Sequence, residues 1–234
     1  MSASIANESL PTPLNSTRIE RMRAYKFLDA KYGLKDITER RVKVSTFVDM
    51  NDPFELIGSQ WSHLGVEDAI NAHNKSDYGA MCLSRSCINP LLWAHYGSKH
   101  RGICLGFDIP DDPHVVHSVI YTNERELQDP YRLLHTVASQ PPEAAQAEIM
   151  CKLLLKYEGW AYEDEVRLLK KLGDGLTFFL FDESDFALRQ VILGLRCTVS
   201  KKSVLNRLQG YNGHVEILRA TLSSEKFQII PVPI

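Results

Sequence analysis

The sequence predicts an α+β fold: a mixed, mostly antiparallel sheet with flanking helices. Short runs of strand character recur from residue 23 to residue 232. The helical stretches between them are few and irregularly placed, unlike the regular alternation that builds a doubly wound parallel sheet. The composition is that of a globular chain, 44% hydrophobic and 24% charged, and 234 residues bury enough surface to fold without a covalent or metal staple. No internal repeat or long linker divides the chain. Residues 1–17 are expected to be a flexible lead and 18–234 a single domain.

The elements follow in order. Residues 23–28 form a strand that places Tyr25 and Phe27 on one pleat face. A short helix over 30–40 precedes a strand over 41–48, where Val42, Val44 and Thr46 alternate with Lys43 and Ser45. Asn51-Asp52-Pro53 is turn chemistry. A helix is expected over 66–73, a strand over 78–84, a short helix over 89–97 and a strand over 102–108 apolar enough to be buried on both faces. A further strand falls in 115–122. The longest helical signal covers 142–157, with Ile149, Met150, Leu153, Leu154 and Tyr157 on one face. Strands follow at 164–172, 176–181 and 190–194. Ser200 is a good N-cap for a helix carrying Val204, Leu205 and Leu208, and two last strands fall near 215–220 and 227–232.

The net charge is −2 from 27 basic and 29 acidic residues, well mixed along the chain. No basic block marks a dedicated nucleic-acid surface, which would need clustered Lys and Arg. The five cysteines (82, 87, 104, 151, 197) are odd in number and contain no Cys-x-x-Cys. They predict neither a disulfide framework nor a metal site, and fit a reducing compartment. No apolar run approaches the ~18–20 residues of a membrane span, and the start of the chain lacks a signal-peptide core. The sequence expectation is a cytoplasmic protein with no membrane partner.

Three clusters concentrate chemistry. In Asn51-Asp52-Pro53-Phe54-Glu55 a turn meets an aromatic anchor; the first three residues read as a capping turn, and Glu55 either caps or leans into a site. In the second, Cys82-Leu83-Ser84-Arg85-Ser86 runs off a strand into a loop, and the next helix carries Trp93, His95 and Tyr96. Strand-end hydroxyls beside aromatic rings suit a small-molecule pocket, although Trp93 and Tyr96 also read as core and His95 as a satisfied histidine. In the third, Trp160-Ala161-Tyr162-Glu163-Asp164-Glu165-Val166-Arg167, Trp160 is expected as a buried anchor before a strand. Glu163, Glu165 and Arg167 sharing one pleat face would stand ~7 Å apart, as a working constellation or a solvated charge ladder.

Together these clusters resemble the bacterial "domain of unknown function 2971" family. The resemblance runs from Tyr25-Lys26-Phe27 through Asn51-Asp52-Pro53-Phe54-Glu55, Cys82-Leu83-Ser84, Trp93-Ala94-His95-Tyr96-Gly97, Gly102-Ile103-Cys104-Leu105-Gly106-Phe107-Asp108 and Tyr162-Glu163-Asp164-Glu165-Val166-Arg167 to Val191-Ile192-Leu193-Gly194. A second, fainter resemblance is to ADP-ribosyltransferases of the Arg-Ser-Glu type. Arg23 or Lys26 stands for the first-strand basic residue, Ser84-Arg85-Ser86 for the Ser-x-Ser strand end, without the usual Thr, and Glu163-Asp164-Glu165 for the Glu-x-Glu.

That second resemblance implies an ADP-ribosyltransferase-like fold and an enzyme that cleaves NAD, its nucleotide substrate, as in a toxin or defence effector. Glu165, Glu163 and Ser84 would be catalytic. Arg23, Tyr25, Lys26, Ser86, Trp93, His95 and Tyr96 would hold the dinucleotide, and the acceptor stays open. The alternative is a nucleotide-binding or interaction module without turnover; a nuclease fits less well because no carboxylate and histidine set has metal-ligand spacing.

Overall fold

The computed structural model describes residues 20–46, 50–52, 54, 59–61, 78–124, 126–128, 139, 153–172, 178–181 and 186–234. The architecture is α+β, as the sequence predicts. A nine-stranded sheet runs in the order β15-β14-β13-β6-β1-β5-β11-β7, with β3 also pairing β5. Its strands are β1 (Arg21–Leu28), β3 (Ser45–Thr46), β5 (Tyr78–Ser84), β6 (Ile103–Pro110), β7 (His117–Ser118), β11 (Glu165–Lys171), β13 (Ala187–Leu193), β14 (Glu216–Leu222) and β15 (Ile229–Pro233). Every pairing in it is antiparallel except β13 with β14.

The sheet is covered on both faces, which explains the unbroken apolar run of β6. On one face Ala24, Leu105, Phe107 and Val191 pack with Ile37 of helix α1 (Ala30–Glu39) and Val204 of helix α3 (Lys201–Arg207). On the other, Phe27, Cys104 and Ile192 pack with Leu92 and Trp93 of helix α2 (Pro90–His95). Each of these three helices starts on a side-chain cap: Asp29 accepts from Lys31 N, Asn89 from Leu91 N and Ser200 from Ser203 N. Pro90 follows its cap at the first helical position, where its missing N–H costs no hydrogen bond.

Three smaller pairings lie beside this sheet. Strand β2 (Arg41–Lys43) pairs β12 (Phe178–Leu180), β4 (Ser59–Trp61) pairs β9 (Glu126–Gln128), and β8 (Ile120–Thr122) pairs β10 (Leu155–Tyr157). The strand expected over 41–48 is thus divided, with Val44 buried at the point where the chain leaves β12 for β5.

The end of the expected 142–157 helix is corrected. Leu155–Tyr157 is a strand, held parallel to β8 in register Leu155 to Ile120 and Tyr157 to Thr122. It leads into a 3-10 helix, Glu158–Glu163, that ends at Asp164 with a left-handed backbone, φ 44°. The rest of that helix up to residue 152, the lead over 1–17, the helix over 66–73, Pro53, Glu55 and Cys151 lie outside the described residues. Among the described residues no helix is long and apolar enough to cross a membrane.

One junction in the sheet is thin. β1 pairs with β6 over eight residues, but with β5 only at Tyr25 and Ser84. Beyond that bridge the two strands part, and Lys26 reaches into the gap, its Nζ donating to the Cys82 carbonyl oxygen at 3.1 Å. A side chain thereby satisfies an acceptor that the ladder leaves behind.

Candidate functional site

The gap between β1 and β5 opens into a cavity of about 260 Å³. Its back wall is set by strand register. Tyr25 pairs with Ser84, and Ser84 with Glu165. Residues directly opposite in antiparallel strands share a face, so Tyr25, Ser84 and Glu165 form one row across three strands. The row extends to β6, where Tyr25 is opposite Gly106. A Cβ on Gly106 would lie 3.1 Å from the Tyr25 ring, so the glycine makes room for the aromatic to lie flat across the sheet.

Glu165 is 4% exposed and lies within a buried quartet of two carboxylates and two cations. Lys156 Nζ, from β10, donates to Glu163 Oε2 at 2.6 Å and to Glu165 Oε2 at 2.8 Å. Arg167 Nε donates to Glu165 Oε1 at 2.8 Å, and its Nη1 to the Leu153 carbonyl at 2.6 Å. Tyr96 donates to Glu163 Oε1 at 2.5 Å while accepting from Asn51 Nδ2 at 2.9 Å. A chain of hydrogen bonds therefore runs from Asn51 on the cavity wall to Arg167 in the interior.

The two carboxylates titrate in opposite directions. Burial pushes Glu165 up, but the charges of Arg167 and Lys156 outweigh it and hold the acid at about 2. For Glu163 burial dominates the opposing pull of Lys156, and its pKa is raised. Tyr96 is raised as well, by burial and by the hydrogen bond it gives Glu163. Opposite shifts of this kind arise both in acid–base pairs and in structural networks of buried ion pairs. The Cys82 thiol beside them is driven up to about 12 by burial and the Glu165 charge, which makes it a poor nucleophile.

Of the ten residues the sequence proposes for the site, Tyr25, Lys26, Ser84, Tyr96, Glu163 and Glu165 line the cavity, with Asn51 from the first cluster. The other four do not. Arg23 pairs with Asp108 at 2.5 Å, leaving Lys26 as the first-strand cation at the cleft. Trp93 is a correction. It is 0% exposed, packs edge to face on Phe27 with centroids 5.1 Å apart, and donates to the Cys87 carbonyl, so its ring cannot stack on a ligand. Ser86 is a backbone partner of Ser84, whose hydroxyl donates to its carbonyl and accepts from its N–H. His95 is exposed and sits against Trp160 and Tyr162 outside the cavity.

Trp160 is corrected too: it is half-buried in the 3-10 helix rather than a core anchor. Glu163 also lies in that helix and not on the strand, so it does not share a pleat face with Glu165. The two meet through Lys156 instead. Sequence reading passes over Lys156; the one available signal is a lone charge in the run Leu153-Leu154-Leu155-Lys156-Tyr157. Among the described residues no group of three or more His, Cys, Asp or Glu is placed to hold a metal ion.

The span from Leu92 to Leu168 therefore carries Tyr96 and the whole quartet. Residues 92–168 match the family model for a protein of unknown function, DUF2971. The match covers about a third of the chain and takes in three of the motifs on which the resemblance rests, those at 93–97, 102–108 and 162–167. Tyr25, Lys26, Asn51 and Ser84 lie outside the DUF2971 span and complete the cavity from the N-terminal side. No curated protein and no solved structure matches the chain.

Proposed function

We propose that the cleft binds NAD and breaks the bond between nicotinamide and ribose, passing ADP-ribose to water or another acceptor. The row of Tyr25, Ser84 and an ionised Glu165 at the wall of a nucleoside-sized cavity carries the reading. The C1′–N bond breaks and nicotinamide leaves with the bonding pair, through an oxocarbenium-like state of the kind met in glycoside hydrolysis. Glu165 faces the positive charge that develops, held rigid by Arg167 so that no reorganisation is needed as the charge forms. The Tyr25 ring stacks on the nicotinamide, and Lys26 supplies positive charge for the pyrophosphate. An oxygen nucleophile forms the new C1′–O bond and passes its proton through the Tyr96 hydroxyl to Glu163, whose raised pKa suits an acceptor of protons. A buried quartet contributes little net stability compared with an apolar core, which supports a role for it beyond holding the fold.

The test is incubation of the full chain with NAD and quantification of free nicotinamide by mass. Glu165→Gln keeps the shape and removes the charge, and is expected to slow release by ~10²–10³ with an unchanged circular dichroism spectrum. Absence of nicotinamide above the protein-free control rejects cleavage.

A second reading has its own observation. Both oxygens of Glu165 and both of Glu163 already accept from Lys156, Arg167 or Tyr96, an arrangement that also suits a nucleotide-binding module without turnover. It predicts that NAD at ~100 times its dissociation constant stabilises the protein by about 2.7 kcal/mol while releasing no nicotinamide.

A further inference from the structure

Lys156 borders two cavities. It helps line the cleft just described, and it also borders a second cavity of about 240 Å³, formed by Phe54, Thr122, Asn123, Glu124, Leu155, Lys156 and Tyr157. The two differ in chemistry. The first is rich in hydroxyls and charges, whereas the second presents mainly apolar surface from two large aromatics that the fold leaves half open, Phe54 at 49% and Tyr157 at 53% exposure.

The geometry behind this second cavity is specific. Tyr157 ends β10, held in register opposite Thr122, and its ring covers Gly159: a Cβ there would stand 2.4 Å from a ring carbon. Glycine at 159 thus allows the tyrosine to lie back against the chain and offer its other side to the cavity. Asn123 follows Thr122 at the rim, its amide anchored to Glu158. Flat apolar walls and an amide at the edge are how proteins take a planar heteroaromatic ring: the walls stack on it and the amide reads its polar edge. A carboxamide can match a purine edge with a donor and an acceptor at once.

We propose that this second cavity is a purine subsite, separated by Lys156 from the nicotinamide cleft. The ring comes either from the adenine end of the same dinucleotide or from a separate purine acceptor. The choice between these two rests on the reading proposed above; the purine subsite itself does not.

The experiment is equilibrium binding of adenosine monophosphate, nicotinamide mononucleotide and NAD to the full chain and to Tyr157→Ala and Phe54→Ala. Both substitutions fall on half-exposed side chains, and thermal melts confirm that the variants fold. Saturable adenosine monophosphate binding that weakens about tenfold or more in both variants is expected, as for loss of a stacking partner, with nicotinamide mononucleotide unaffected. If NAD affinity falls in parallel, the adenine of the dinucleotide fills the site. If NAD affinity holds and adenosine monophosphate still binds at saturating NAD, the ring belongs to a separate acceptor. No saturable adenosine monophosphate binding, or binding indifferent to both substitutions, overturns the proposal. Because this readout needs no turnover, absence of nicotinamide release defeats the catalytic reading and leaves the subsite standing.

Discussion

Two charge clusters in the same sheet invite comparison. At one, Asp108 lies between Arg23, at 2.5 Å, and Arg189, at 3.3 Å. At the other, Glu165 lies between Arg167 and Lys156, each at 2.8 Å. The chemistry is alike, a carboxylate between two cations, which come from the two strands flanking β6 at Asp108 and from β11 itself and β10 at Glu165. Solvent separates them: the side chains of the Asp108 cluster are 24–36% exposed, whereas those of the Glu165 cluster are 1–4% exposed. In water such pairs are screened and weak; in the interior each member depends on the others, because a lone buried charge is very costly. Sequence alone cannot tell the two apart, since Asp108 lies in a strand as apolar as any in the chain.

The largest effect should come from removing the cation that two buried carboxylates share. Lys156→Met leaves Glu163 without its ionic partner and Glu165 with only Arg167, and is expected to cost about 3–5 kcal/mol. For a chain of this size that lowers the melting temperature by roughly 6–20 °C. A melt within two degrees of wild type would mean that water already reaches the quartet.

Acid titration sharpens the contrast. Glu165 falls from its ordinary 4.5 to about 2 on folding, so its contribution to stability is complete above about pH 4.5 and is lost as pH drops through 2. Glu163 works the other way: its raised pKa favours the folded state at low pH and disfavours it as pH rises past that value. Glu165→Gln should therefore lie below wild type by on the order of 3 kcal/mol at neutral pH, with the gap closing between pH 4.5 and 2. A gap independent of pH, measured by denaturant melts, would show that the amide loses packing rather than charge.

The smallest change belongs to the exposed cluster. Arg23→Gln should alter stability by about 0–1 kcal/mol, more at low salt than at high salt. A loss as large as that of Lys156→Met would show that the two clusters do not differ in energetic weight.

What the sequence disclosed follows the same line between local and tertiary causes. The cap at Ser200, the short helix that begins at Asn89 and the alternation in β1 are local signals, and the structure bears them out. Ser84 and Glu165 are legible as site residues because a strand end and an acidic stretch stand out. That they become direct neighbours is a matter of register over 81 positions, which no local pattern records. Lys156 is hidden for the opposite reason: it sits in an apolar run of helical spacing, while its backbone is recruited into a strand by β8. Trp93 lies in α2 and Tyr96 caps its C-terminus, yet the first is sealed in the core and the second reaches the cavity. Periodicity does not separate them, because the sheet face, not the helix, decides which side is closed.

The thin junction at Tyr25 and Ser84 has a consequence for how the chain assembles. On one side stand β1, β6, β13, β14 and β15; on the other, β3, β5, β7 and β11. The polypeptide passes back and forth between the sides, so each half draws its strands from stretches distant along the chain. No contiguous fragment holds either half without a strand of the other, and a nick at one connecting loop would leave both pieces knitted together. Assembly must close long loops before those pairings form, the regime of folding in milliseconds to seconds rather than microseconds. Opening along the junction disrupts one bridging pair, against eight between β1 and β6. Amide protons of β5 near Ser84 should accordingly exchange ahead of those in the centre of β6.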